Sequence, residues 1–77
     1  MPNGLNNWTF RDVETFLKEY DFSMNHIKGS HYFYIGYPNK VMHQVCVPRH
    51  SSLSIKPRTM KGIILQSGIP KDEWLRK

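Results

Sequence analysis

Cys46 is the only cysteine in the chain, so no disulfide within it can staple the fold. Stability must come from whatever core 77 residues can bury, which is near the lower end of what a single core supports unaided. That constraint points to one domain over residues 1–77 in which each amphipathic segment serves a common core. No segment approaches the ~18 apolar residues of a membrane span. No signal-peptide pattern opens the chain. The expectation is a soluble protein of the cytoplasm without a membrane partner, where a lone thiol stays reduced.

The apolar spacing divides the chain into alternating elements. Residues 1–7 are polar, with glycine, proline and three asparagines, and read as a flexible lead-in. Thr9 is a candidate N-cap with Asp12 three residues on. Phe10, Val13, Phe16, Leu17 and Tyr20 follow at helical spacing, so a helix is predicted over about 9–20, ended by Asp21. Phe22, Met24 and, less regularly, Ile27 suggest a short strand, and His31–Tyr37 a second, aromatic one. Pro38-Asn39-Lys40 is turn chemistry. Val41–Val47 returns as a third strand, stopped by Pro48, which lacks a ladder N–H.

Residues 49–56 read as a polar loop. Pro57 suits a helix start; Met60, Ile63, Ile64 and Ser67 then share a face, and Gly68 is a C-cap ahead of Pro70. Lys71–Leu75 add one more turn, with Trp74 and Leu75 docking back. The fold class is therefore α+β, an α-β-β-β-α two-layer sandwich with both helices on one face of an antiparallel sheet. Its expected core is Phe10, Val13, Leu17, Phe33, Ile35, Val45, Val47, Ile63 and Ile64. The same element order occurs in double-stranded-RNA-binding domains, although a fold does not by itself assign a function.

Eleven Lys and Arg oppose six Asp and Glu, with a pI near 9.6. Such an excess favours polyanions through counterion release, nucleic acid foremost; an ordinary solubilising charge or an acidic protein partner fits as well. Carboxylate pairs for acid–base work and glycine-rich phosphate loops are absent from the sequence. A zinc site from His43, Cys46 and His50 is disfavoured, because His43 and Cys46 lie an odd number of positions apart and point to opposite faces of a strand. No metal or cofactor is expected.

Among the histidines, His31 has the most suggestive surroundings. Histidine is the side chain whose ordinary pKa lies nearest neutrality, so it can both take and give a proton. Lys28 precedes His31, Gly29 allows close backbone approach, and Ser30 can bond to phosphate. Parity places His31 with Phe33 and Ile35 of the expected core, unless the first position of a twisted strand escapes that face. Tyr32, Tyr34 and Tyr37 offer ring faces for unpaired bases or simple packing. Arg49 and His50 bring further cations beyond the third strand.

Lys28-Gly29-Ser30-His31, Val45-Cys46-Val47-Pro48-Arg49-His50 and Thr59-Met60-Lys61-Gly62-Ile63-Ile64-Leu65-Gln66-Ser67-Gly68-Ile69 together resemble the HicA-type toxins, also called YcfA-like proteins. The likeness runs from Thr9 to Leu75. It departs where Asp21 and Arg58 stand at positions usually held by glycine, and where the turn through Gly36–Lys40 is longer. The resemblance implies a double-stranded-RNA-binding-domain-like fold and an mRNA interferase, the toxin of a type II toxin–antitoxin pair inhibited by a HicB-type antitoxin. It puts the catalytic histidine at His31 and its preceding glycine at Gly29.

The expected activity is thus metal-independent endoribonuclease action on mRNA, with Lys28, Gly29, Ser30, Tyr34, Arg49 and His50 binding the RNA. Tyr34, His50 or water are the candidates for the second proton carrier. The alternatives are an RNA-binding module of the same fold without catalysis, and an adaptor for an acidic protein.

Overall fold

The computed structural model describes residues 4–49 and 54–76. Thr9 caps α1 (Phe10–Glu19) through a capping box: its side chain accepts from the Asp12 amide while Asp12 accepts from the Thr9 amide, satisfying two helix-end donors reciprocally. The chain leaves α1 through Asp21, a non-glycine residue at φ 64. A left-handed conformation of this kind favours glycine, and here Asp21 adopts it. Strands β1 (Ser23–Lys28), β2 (His31–Gly36) and β3 (His43–Pro48) form an antiparallel sheet in the order β1-β2-β3. A short 3-10 turn (Pro38–Lys40) precedes β3, with Asn39 at φ 55. Helix α2 (Pro57–Ser67) ends at Gly68 in the left-handed conformation, and α3 (Lys71–Leu75) closes the described chain.

The α+β order expected from the sequence is the order found. Helix α2 lies along β3 and α1 touches the same strand, so β3 carries most of the helix packing and β1 is exposed along its whole length. Trp8, Phe10, Val13, Phe16 and Leu17 meet Tyr34, Val45 and Val47 of the sheet and Met60, Ile63, Ile64 and Trp74 of the later helices in one core. Phe16 stacks on Trp74 at 3.8 Å between ring centroids, and Tyr20 donates to Glu73 at 2.6 Å. These contacts fasten the C-terminal turn to α1. The lead-in is also anchored where it is described: Trp8 Nε1 donates to the Gly4 carbonyl at 2.7 Å, and Leu5 packs on the core.

One assignment is corrected. Phe33 and Ile35 are not core residues; β2 turns Tyr34 and Tyr32 inward instead, Tyr34 fully buried and Tyr32 packed at the core margin. The reason is that the inner face has polar partners for tyrosine. The Tyr34 hydroxyl donates to Glu14 of α1 at 2.6 Å, and Tyr32 packs edge-on against Phe10. A buried tyrosine is acceptable where its hydroxyl finds such a partner.

Gly36, at the end of β2, faces the Phe22 ring. A Cβ built there would lie 2.5 Å from that ring, and Phe22 is itself buried. Gly36→Ala is expected to cost about 1–3 kcal/mol by overpacking, read as a lower urea midpoint at unchanged m-value.

Candidate functional site

The polypeptide reverses between β1 and β2 through Gly29 and Ser30. Gly29 sits at φ 60 and Ser30 has no positive φ, which fits the type II′ hairpin turn, with glycine required at its first central position. Lys28 and His31 are the cross-strand pair that closes it, so their side chains leave the sheet on the same face. The Arg49 amide donates to the Ser30 carbonyl at 2.8 Å, tying the turn to the chain just beyond β3. Lys28, Gly29 and Ser30 are all exposed beside His31.

His31 belongs to the sheet face opposite the core. Its neighbours there follow from the pairing: Pro48 across from it, then Phe33 opposite Cys46 and Ile35 opposite Gln44. Phe33 and Ile35 face outward with His31, so strand parity itself exposes the imidazole and no twist at the first position of β2 is needed. Beyond β3 an open groove of about 430 Å³ is lined by His31, Cys46 and Pro48 on the sheet side and by Thr59, Gly62, Ile63 and Gln66 from α2. Gln66 fixes the far wall. Its side-chain oxygen accepts from the Cys46 amide at 3.0 Å, covering an unpaired donor on the edge strand.

The described histidines have different situations. His43 Nδ1 lies 2.9 Å from the Gln66 carbonyl; a carbonyl only accepts, so Nδ1 carries the proton and the ring caps the end of α2. His26 stacks on Phe33 with centroids 4.3 Å apart and planes 8° from parallel. The His31 side chain is exposed and makes no hydrogen bond, ion pair or ring contact among the described residues. Its imidazole nitrogens are left available to a ligand.

Two candidate site residues fall elsewhere. Tyr34 is fully buried on the opposite face, so it offers no surface to a base. Burial, followed by its bond to Glu14, raises its hydroxyl pKa well above the ordinary value, and a proton held that firmly on the wrong face does not reach His31. Arg49 also points away. Its guanidinium donates to the Tyr32 hydroxyl at 3.2 Å and lies over the Phe10 and Tyr32 rings at 5.1 and 5.6 Å, on the helix-facing side of β2. His50 lies outside the described residues. Burial raises the Cys46 thiol pKa, which favours its neutral form.

Charge is segregated around this face. No Asp or Glu occurs between Phe22 and Pro70, while Lys28, Lys40, Arg49, Lys56, Arg58 and Lys61 do; the acids belong to α1, its exit and α3. Among the described residues no group of three or more His, Cys, Asp or Glu side chains could hold a metal ion, and no helix is long and apolar enough to cross a membrane.

Residues 10–69 match the family described as the HicA toxin of bacterial toxin–antitoxin systems. The chain belongs to the HicA toxin family. No curated protein and no solved structure matches it. The matched span of this HicA-family chain runs from the start of α1 through Ile69 just past α2, and so contains the Gly29-Ser30 turn, His31 and both walls of the groove.

Two further residues of this face carry no local signal in the sequence: Gln66, which bonds the edge of β3, and His26, whose ring stacks on Phe33. Tyr34→Phe is expected to lower stability by about 0.5–1.5 kcal/mol through the lost hydrogen bond, measured by urea denaturation, and to leave the exposed face of His31 unchanged.

Proposed function

We propose that this toxin is a metal-independent endoribonuclease whose catalytic residue is His31, acting on mRNA in the cytoplasm and held inactive by a HicB-type antitoxin that covers the His31 face. The observation that carries the reading is an exposed, unpartnered His31 paired across a glycine turn with Lys28, on a face without carboxylates, in a chain of the HicA toxin family. A polyanion is attracted to such a face, and RNA supplies its own nucleophile in the ribose 2′-hydroxyl.

In the proposed reaction, neutral His31 takes the proton from a ribose 2′-OH. The 2′ oxygen attacks the adjacent phosphorus, the P–O5′ bond breaks, and the departing 5′ oxygen receives a proton from water or from the imidazolium that has formed. Lys28 faces the same side of the hairpin and offsets charge building on the phosphoryl oxygens. Gly29 leaves the backbone beside the turn open to close approach, and Ser30 offers an exposed hydroxyl for phosphate. Arg49, with its guanidinium on the other face, holds the turn through its amide. Tyr34 has no part in the chemistry.

General acid–base help from one side chain is worth typically 10²–10⁴-fold. His31→Ala is accordingly expected to lose about 10²-fold or more in cleavage of single-stranded RNA in chelator-treated buffer, while retaining the far-ultraviolet dichroism and urea midpoint of the parent. Undiminished cleavage by a folded His31→Ala protein would overturn the assignment. RNA binding without any cleavage by the parent protein would favour the non-catalytic RNA-binding module.

A further inference from the structure

The His26–Phe33 stack lies on the same face as His31 and takes no part in the proposed chemistry. It exists because β1 carries an irregularity between Met24 and His26: Met24 pairs with Tyr34, and the next partner of β2, Phe33, is met by His26 rather than Asn25. The extra residue rotates the remainder of β1 by one side, placing His26 and Lys28 outward with Phe33 and His31. Phe33 is half-buried and His26 is exposed. Their rings are 8° from parallel, and Asn25 Nδ2 donates to His26 Nδ1 at 2.8 Å, so the imidazole is held flat from one side and by one edge. Its other ring face is left to solvent.

From these observations we infer that His26, backed by Phe33, is a stacking platform for a base of single-stranded RNA, the one next to the nucleotide cleaved at His31. The inference rests on the proposed cleavage at His31. Phe33 follows His31 by two positions on one face, about 6–7 Å along the strand, so a ribose at His31 puts the neighbouring base within reach of the stack. Aromatic and imidazole rings on an exposed sheet hold splayed-out bases by their π faces, whatever the base.

The surroundings favour RNA over a protein occupant. Ser23, Lys28, His31 and Gln44 border the rings on this face together with Ile35 and Cys46, giving a mostly polar rim that carries one lysine and no carboxylate. A second copy of this chain, at formal charge +5, would bring no carboxylate on that face to meet Lys28.

The test measures binding of a short single-stranded RNA with 2′-O-methyl riboses, which cannot be cleaved through the 2′ oxygen, by fluorescence anisotropy. His26→Ala is expected to weaken binding roughly 5-fold or more, the range for loss of one stacked base. His26→Phe, which keeps a ring and carries no charge, is expected to restore it. Because His26 is exposed, neither substitution removes a core contact. Binding by His26→Ala equal to the parent would overturn the inference, as would His26→Phe binding as weakly as His26→Ala, since the imidazole would then act through charge or hydrogen bonding. Cleavage of an ordinary ribose strand by His31→Ala addresses the catalytic assignment alone, so the two failures give different results.

Discussion

One additional residue in β1 decides which side chains share a face with His31. With strict alternation, Met24 on the inner face would put His26 and Lys28 there too, on the side of the sheet away from His31. The irregularity at Asn25 keeps Met24 and Ile27 on the inner side and sends His26 and Lys28 outward. A single slip in strand parity moves every later side chain across the sheet, and here it places a cation across the turn from the proposed catalytic histidine. The glycine at φ 60 then closes the hairpin so that Lys28 and His31 are direct partners.

The inner face is organised by complementary means. Tyr34 is buried and Tyr32 partly so, where hydrophobicity alone favours Phe33 and Ile35, because α1 and the segment after β3 supply Glu14 and Arg49 to their hydroxyls. The buried phenol is the physical reason the outward face is free. Had Phe33 turned inward, His31 would have followed it by parity, and the groove against Thr59, Gly62 and Gln66 would have lost its sheet wall. Core packing and the accessibility of the site are two consequences of one choice of register.

Much of this was legible in the sequence. The Thr9–Asp12 capping pair, the helical spacing of Phe10, Val13 and Leu17, the proline that opens α2 and the glycine after it are local signals that tertiary packing had no cause to override. The site was legible in part. Gly29-Ser30-His31 could be singled out because turn chemistry and a titratable group coincide in a few residues, and the irregular Met24-to-Ile27 spacing already carried the trace of the extra residue. What could not be seen was the face. Hydrophobicity ranks Phe33 and Ile35 above Tyr32 and Tyr34 as core residues, and only the partners Glu14 and Arg49, which are 20 and 17 residues away in the chain, reverse that order. The misplacement of Tyr34, and of the Arg49 guanidinium that follows Tyr32, came from this single error.

The ends of the RNA fragments bear most directly on the claim that His31 activates a ribose 2′-hydroxyl. Mass spectrometry of a short single-stranded RNA cut by the parent protein is predicted to find a 5′-hydroxyl on one fragment. The other is predicted to carry a 2′,3′-cyclic phosphate, or the 3′-phosphate from its hydrolysis. Fragments bearing a 5′-phosphate and a 3′-hydroxyl would mean that water, not the ribose, attacks phosphorus, and would contradict the account.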